Sequence, residues 1–119
     1  MLVRVLTARI AARNVGDANV LVRELLDELH QQPGLAYTKL ARRLLANDDE
    51  EMILFEEWVT PADLFAWTGG RLLTPRIPEH ALRLFENLVI SHYESLDRMP
   101  EEFELDVIET ERSAEKRKA

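Results

Sequence analysis

Several side chains in the second half of the sequence have the chemistry to bind or activate a small molecule. Trp67 carries a large apolar ring whose N–H needs a hydrogen-bond partner when it is buried. It can shape a pocket or stack on a flat ligand, and its alternative role is core packing. His80 lies near the start of a predicted helix, where the helix dipole disfavours the imidazolium and leaves a neutral ring able to accept a proton. His80 is therefore a candidate general base, with a surface histidine as the alternative.

His92 and Tyr93 are adjacent on a predicted strand and form a second group of candidates. Successive side chains of a strand point to opposite faces, so only one of the two can line a pocket between the sheet and the helices. The register is not visible in the sequence, and both remain candidates. Arg71 can hold an anionic oxygen with its guanidinium fork, or it lies in a solvated loop. Phe65 lies on the apolar side of the short helix that carries Trp67.

The composition excludes several kinds of site. The sequence has 119 residues and no cysteine, which excludes a disulfide framework, a thiolate zinc site and a cysteine nucleophile and indicates a reducing cytosol. Its three histidines lack the spacing of a metal site, so we expect no metal. A net charge of −7 argues against nucleic-acid binding, which needs a basic surface. No stretch approaches the roughly 20 apolar residues of a membrane span, so we expect a cytoplasmic protein without a membrane partner.

The spacing of apolar residues predicts the elements that position these side chains. Their order is strand, helix, strand, strand, helix, helix, strand. Asn14 or Asp17 is expected to cap the first helix and Thr60 the second, which ends at Gly69-Gly70. The alternation of the second strand slips near Arg42-Arg43, which indicates either a bulge or a two-sided strand. The predicted strands cover residues 2–10, 34–46, 51–59 and 89–96, and the predicted helices cover 14–32, 60–68 and 79–88.

This order is typical of the α+β class. It predicts a ferredoxin-like βαββαβ domain over residues 1–97, with four antiparallel strands and a second helix broken in two. The strands are apolar on both faces, although an antiparallel sheet with helices on one side needs only one apolar face. A second copy of the chain is the simplest cover for the other face, which predicts a homodimer. The alternative cover is the charged tail at 98–119, where Phe103, Leu105 and Val107 alternate with acidic residues and can form an extended arm.

Four short motifs, taken in this order, resemble one known family. They are Pro33-Gly34-Leu35, Phe55-Glu56-Glu57-Trp58, Thr60-Pro61-Ala62-Asp63-Leu64 and His92-Tyr93-Glu94. Their order and spacing over residues 2–97 are similar to those of the antibiotic biosynthesis monooxygenase family of dimeric α+β barrels. The resemblance implies a homodimer in which two sheets form a barrel, with a pocket in each subunit between the sheet and the helices.

The resemblance also implies an activity. Some members of the family oxidise aromatic polyketides with O₂ in phenol-to-quinone reactions, without flavin, haem or metal. Such a site needs a proton acceptor, a donor for the developing anion and a dry apolar cavity. By this resemblance we expect no cofactor. From the chemistry of their side chains, we expect His80 and Trp67 to be catalytic. The residues expected to bind the small aromatic substrate are Phe65, Arg71, His92 and Tyr93.

Two other functions fit parts of the sequence. Haem-degrading members of the same superfamily use an asparagine in the first strand, a tryptophan in the short helix and a histidine soon after it. Trp67 and His80 resemble the last two in position, but Ala8 stands where the asparagine is expected. Haem is therefore the alternative ligand. The other alternative is a dimeric ligand-binding module that performs no chemistry.

Overall fold

The computed structural model describes residues 1–96 as one antiparallel sheet with helices on one face. Strands β1 to β4 are Leu2–Ile10, Leu35–Leu44, Glu50–Trp58 and Glu86–Glu94, and helices α1 and α2 are Val15–His30 and Pro61–Thr68. Short 3-10 segments lie at Ala12–Asn14, Ala46–Asp48 and Glu79–Leu84. The strands are ordered β2-β3-β1-β4, and all neighbours are antiparallel. This topology confirms the predicted ferredoxin-like α+β fold.

The hydrophobic core lies between the sheet and the helices and has two parts. At one end of the sheet, α1 packs with Met52 and the 79–84 segment. At the other end, it packs with Trp58 and α2. The two pieces of the predicted second helix therefore cover different ends of the same sheet face. The residues that α1 buries recur at helical spacing and are Ala18, Val22, Leu25 and Leu29.

The capping residues predicted for the two ends of α2 are confirmed. The Thr60 hydroxyl accepts a hydrogen bond from the Asp63 backbone N–H at 3.2 Å, and Pro61 occupies the first turn. Gly69 follows the last turn with a φ of 69°, a left-handed conformation that glycine adopts without steric strain. The start and the end of this helix are thus set by residues within or next to it.

The predicted side-chain cap of α1 is wrong. Asn14 occupies the capping position, but its side chain makes no capping hydrogen bond, and Asp17 lies within the first turn. Asn14 ends the 3-10 segment Ala12–Asn14 with φ −105° and ψ −2°, whereas a capping side chain needs an extended backbone. The 3-10 turn leads directly into the helix instead.

The chain between the second core segment and β4 also departs from the prediction. Helical geometry ends at Leu84 and β4 begins at Glu86, whereas the sequence pattern predicts helix to residue 88 and a strand from 89. From Leu88 to Tyr93, the residues directed towards the helices are half-buried and most of those between them are exposed, which is close to the period of a strand. Pairing with β1 therefore decides the conformation of residues 86–88.

Strand β2 pairs with β3 without interruption at Arg42-Arg43. The register shifts at Ala36 instead, between Leu35 and Tyr37. β2 is an edge strand and most of its residues are exposed, so polar side chains occur on both of its faces. The slip in alternation at Arg42-Arg43 is therefore the mark of a two-sided edge strand.

The second face of the sheet carries apolar side chains that nothing in residues 1–96 covers. Its exposed large apolar residues include Tyr37, Ile53, Val89 and Tyr93. The prediction that both faces are apolar is confirmed. The predicted boundary at residue 97 and the 98–119 tail, with its arm at Phe103, Leu105 and Val107, lie outside the described residues. Within residues 1–96, the structure contains no helix long and apolar enough to cross a lipid bilayer.

Candidate active site

Arg4, Glu56 and His92 form a row across three neighbouring strands. Arg4 in β1 lies opposite Glu56 in β3 and opposite His92 in β4, so the three side chains share one face of the sheet. It is the face that packs against the helices, because Leu6, two residues after Arg4, belongs to the core. Arg4 and Glu56 are only 0% and 1% exposed. The row thus places two opposite charges and an imidazole against the apolar core.

The same register separates His92 from Tyr93. His92 faces the helices, whereas Tyr93 points to the uncovered face and is 58% exposed. Of these two residues, His92 is therefore the one that can line a site between the sheet and the helices.

The Arg4 guanidinium binds groups on two sides. Its Nη1 donates to Glu56 Oε2 at 3.3 Å, while Nε donates to the Leu72 carbonyl at 3.4 Å and Nη2 to the Thr74 carbonyl. Glu56 accepts a further hydrogen bond of 3.0 Å from Trp58 Nε1. Arg4 thereby connects the sheet to the loop that follows α2. The Glu56 carboxylate accepts hydrogen bonds from the side chains of both Arg4 and Trp58.

Burial controls the ionisation of this row. Desolvation raises the pKa of the Glu56 carboxyl, and the nearby Arg4 charge and the Trp58 N–H offset only part of the rise. Desolvation also lowers the pKa of Arg4, against the opposing effect of Glu56. Burial, and secondarily the charge of Arg4, lowers the pKa of His92. The His92 ring is therefore neutral at pH 7 and able to accept a proton.

Two buried polar atoms next to this row have no hydrogen-bond partner within residues 1–96. They are Nε1 of Trp67 and Nε2 of His92. Buried polar groups in folded proteins are nearly always paired with protein groups or ordered water, so these two atoms are hydrogen-bonding groups that a bound molecule can engage. The Trp67 indole can donate a hydrogen bond, and the neutral His92 ring can accept one at Nε2 when Nδ1 carries the proton. Trp67 lies near the Glu56 end of the row, because its ring is 6.4 Å from the ring of Trp58, which binds Glu56. His92 lies at the other end of the row, opposite Arg4.

The loop after α2 covers Trp67. The Arg76 guanidinium carbon lies 4.3 Å from the centroid of the Trp67 ring, a cation–π contact, and Arg76 Nη2 is 3.9 Å from Glu28 Oε2 on α1. Trp67 is only 2% exposed. Arg76 itself has a φ of 64°, which is uncommon for a residue with a side chain.

The structure places the other predicted site residues away from this region. His80 is exposed in the 79–84 segment, a single short 3-10 piece, and no hydrogen bond links it to the row within residues 1–96. Phe65 and Arg71 are exposed on α2 and on the loop after it. Tyr93 lies on the opposite face of the sheet. Of the six predicted site residues, Trp67 and His92 are therefore the two that the fold brings to one side of the sheet and buries in part or in full.

Sequence reasoning missed Arg4 and Glu56. Each carries a charge at a strand position whose neighbours two residues away are apolar: Leu2 and Leu6 around Arg4, and Leu54 and Trp58 around Glu56. Charged residues are almost never fully buried unless they are paired. Two opposite charges, each interrupting an inward-facing apolar set, were therefore the available signal of a buried pair. Trp58, which belongs to one of the four family-like motifs, is fully buried.

Solved structures of other proteins share this fold. A Deinococcus radiodurans protein assigned provisionally to the antibiotic biosynthesis monooxygenases is 13% identical, with 84% of this chain and 97% of that chain covered and a TM-score of 0.64. The chain has the fold of that protein. A Nitrosomonas europaea protein with the same provisional assignment is 15% identical, with coverages of 83% and 93% and a TM-score of 0.61. A further structure named antibiotic biosynthesis monooxygenase is 18% identical, with coverages of 80% and 98% and a TM-score of 0.63.

These similarities confirm, at the level of the fold, the resemblance inferred from the sequence motifs. No protein-family model matches the sequence, and no curated protein matches it significantly. The antibiotic biosynthesis monooxygenase fold therefore supplies the architecture, and the residues of this chain must supply the argument for chemistry. Within residues 1–96, no three histidine or acidic side chains are grouped so that they could hold a metal ion.

Proposed function

We propose that this chain is a monooxygenase that oxidises a small electron-rich aromatic molecule, a phenol or hydroquinone, with O₂. The observation that carries the proposal is the pair of buried, unpartnered atoms Trp67 Nε1 and His92 Nε2 on the helix-facing side of the sheet. The names of the structures that share the fold support the same reaction class.

The two atoms match the two hydrogen-bonding capacities of a phenolic hydroxyl. The hydroxyl donates to Nε2 of the neutral His92 ring and accepts from Nε1 of Trp67. Transfer of the proton to His92 leaves a phenolate, which the Trp67 donor and the nearby Arg4 charge stabilise. The lowered pKa of His92 keeps the ring unprotonated and ready for this step at neutral pH.

The proposed reaction needs no external reductant. A phenolate is electron-rich enough to reduce O₂, and conversion of a phenol to a quinone removes four electrons from the ring. The ring loses its hydroxyl hydrogen and one C–H hydrogen. For a phenol, one oxygen atom of O₂ becomes the second carbonyl group, and the other leaves as water. A hydroquinone already carries both ring oxygens, so its four-electron oxidation gives a hydroxyquinone, in which one atom of O₂ becomes the new ring hydroxyl and the other leaves as water. The protein supplies the base, the donor and an apolar environment, and we propose that no cofactor takes part.

Oxygen consumption with a panel of hydroquinones and naphthols tests the proposal. With ¹⁸O₂, one labelled atom is expected in the quinone product and one in water. H92Q and W67F should lose at least about 100-fold in kcat/KM, the usual contribution of a general base or an oxyanion donor. H30Q, which alters an exposed histidine on α1, is the matched control and should retain activity. No turnover of any phenol, or full activity of both site variants, would refute the proposal.

H80Q distinguishes the base inferred from the structure, His92, from the base predicted from the sequence, His80. Loss of activity in H80Q with full activity in H92Q would assign the base to His80. A protein that binds phenols at Trp67 and never consumes O₂ would be the ligand-binding module instead.

Haem fits the residues of this chain poorly. Ala8, at the place of the expected asparagine, is buried on β1 and has no hydrogen-bonding side chain, while His80 is exposed. Titration of the protein with haem is therefore expected to leave the Soret band of free haem unchanged.

We further propose that the chain is a homodimer through the uncovered face of the sheet. A shallow trough of about 570 Å³ lies on this face between β2 and β4, and its apolar lining includes Val5, Phe55 and Leu96. A second copy of the same face would remove these side chains from water. Isologous contacts of this kind are the commonest in homo-oligomers.

A further inference from the structure

The loop at residues 71–78 is fastened over the candidate site from two directions. From inside the core, Arg4 donates hydrogen bonds to the carbonyls of Leu72 and Thr74. From outside, the side chain of Arg76 lies on the Trp67 ring and reaches towards Glu28 on α1. The loop itself has no helix or strand. Its position over Trp67 therefore depends on a few side-chain contacts rather than on a backbone ladder.

Arg4 and Arg76, the two residues that hold the loop, are each in an energetically unfavourable state that other contacts must compensate. Arg4 is a fully buried cation, and much of its hydrogen bonding is directed at the loop rather than at Glu56. Arg76 adopts a φ of 64°, in the left-handed region that disfavours residues with a Cβ. Such strained positions persist where the surrounding structure holds them and are concentrated at ligand clamps and switch regions.

The atoms beneath the loop explain why a fixed cover would be unsuitable. Trp67 Nε1 and His92 Nε2 are both buried. The Arg76 guanidinium lies against the Trp67 ring, so a molecule that binds to this side of the indole must displace it. The Arg76 side chain is 39% exposed, so its contacts with Trp67 and Glu28 lie at the surface, where they break without disturbing the core.

We propose that residues 71–78 form a movable cover, and that Arg4 and Arg76 are the positioning residues that close it over Trp67 and His92. Arg4 is the inner fastening, which keeps the loop on the sheet through Leu72 and Thr74. Arg76 is the outer fastening, which releases when a small aromatic molecule enters. The inference rests on the proposed function only in taking this region as the place where the substrate binds.

Hydrogen exchange of the two indole N–H groups measures the opening directly. Trp67 Nε1 is buried without a hydrogen-bond partner in residues 1–96, whereas Trp58 Nε1 donates to Glu56 in the fully buried core. Their ¹H–¹⁵N resonances are assigned by the loss of one peak in W67F. We expect Trp67 Nε1–H to exchange through local opening and Trp58 Nε1–H only through larger unfolding. The second indole is thus an internal control for stability.

R76Q tests the outer fastening, and R71Q is its matched control. Both remove one arginine charge from the same loop, but the Arg71 side chain is exposed and has no side-chain partner in residues 1–96. R76Q should raise the exchange rate of Trp67 Nε1–H by about fivefold, as expected from the loss of one cation–π contact, and leave Trp58 Nε1–H unchanged. R71Q should alter neither rate. If the exchange rate of Trp67 Nε1–H were the same in R76Q, R71Q and the unchanged chain, Arg76 would not hold the loop over Trp67.

The double variant R4M/E56M tests the inner fastening without leaving a buried charge unpaired. Replacement of a buried ion pair by apolar residues of similar size is often tolerated. E56M also removes the acceptor of Trp58 Nε1–H, so the stability control for this variant is the backbone N–H of Leu54, a fully buried residue of β3. Exchange of the Leu54 N–H should stay slow, and Trp67 Nε1–H exchange should rise by more than it does in R76Q. A folded double variant whose Trp67 rate equals that of the unchanged chain would show that Arg4 does not hold the loop.

These measurements are independent of turnover. Failure to find a phenol that is oxidised would refute the proposed function and leave the exchange result intact. Conversely, a confirmed oxidation with unaltered exchange in R76Q and R4M/E56M would refute the cover and keep the function. If oxidation is found, R76Q is expected to change KM more than kcat, because the proposed outer fastening controls entry of the substrate and takes no part in the proton transfer.

Discussion

Arg4 and His92 lie opposite each other across the β1–β4 pair, on the side of the sheet that faces the helices. The guanidinium is fully buried and close enough to disfavour a second positive charge on the imidazole. This relationship couples the base of the proposed reaction to the residue that fastens the 71–78 loop.

The first prediction concerns the titration of His92. Its pKa is lowered in the folded state, by burial first and by Arg4 second, below the value near 6.5 that an unfolded chain would show. The unfolded state therefore binds the proton more readily. This contribution to the free energy of unfolding is fully present above about pH 6.5 and is lost as the pH falls towards the folded-state pKa.

NMR titration of the imidazole protons checks this directly, with His92 assigned by comparison with H92Q. His92 should titrate below the ordinary histidine range. In denaturant unfolding, the free energy of unfolding of H92Q should fall less between pH 7 and pH 5 than that of the unchanged chain. A His92 that titrates at or above about 6.5 would contradict the assignment of a neutral base.

The second prediction is a double-mutant cycle on Arg4 and Glu56. R4M alone leaves the Glu56 carboxyl buried without its cationic partner and should lower the free energy of unfolding by about 3–5 kcal/mol. R4M/E56M should recover most of that loss, because no uncompensated charge remains. Chemical denaturation measures both. If the double variant were as unstable as R4M, the unpaired Glu56 carboxylate would not be the cause of the lost stability.

The third prediction compares two glycines. Gly34 has a φ of 85°, and a Cβ placed there would overlap the carboxylate of Asp63. Asp63 is the residue whose backbone N–H donates to the capping hydroxyl of Thr60. G34A should therefore lower stability by at least about 1 kcal/mol. Gly16 lies in α1, and a Cβ there meets no atom within 4 Å.

G16A is therefore the contrasting variant, and it should raise stability by up to about 1 kcal/mol because alanine is the better helix former. Thermal unfolding of the two variants should shift the midpoint in opposite directions. Shifts of the same sign would contradict the assignment of Gly34 as a position that requires glycine.

The fourth prediction concerns the proposed dimer. Phe55 lies on the uncovered face, where its ring meets that of Tyr37 at a centroid distance of 5.8 Å. F55E should place a charge in the interface and convert the dimer to a monomer in analytical ultracentrifugation. V20E adds the same charge at an exposed position of α1 and should stay dimeric. A monomeric unchanged chain would refute the dimer, and a dimeric F55E would place the interface elsewhere.

The sequence by itself determined the features that depend on neighbouring residues. Thr60, Asp63 and Gly69 set the start and the end of α2, because a cap and a left-handed turn are satisfied within a few residues. The helical spacing of buried residues in α1 and the order of the elements were equally readable. Together with four short motifs, they were sufficient for the fold.

Only the tertiary structure decided which side chains meet. The pairing of Arg4 with Glu56 joins residues 52 positions apart, and the choice of His92 over Tyr93 depends on the register of β4 against β1. A register shift of one residue reverses the face of every side chain in a strand. The same pairing converted residues 86–88 from a predicted helix into a strand. Local periodicity cannot specify these outcomes, because they are fixed by hydrogen bonds between segments distant in the chain.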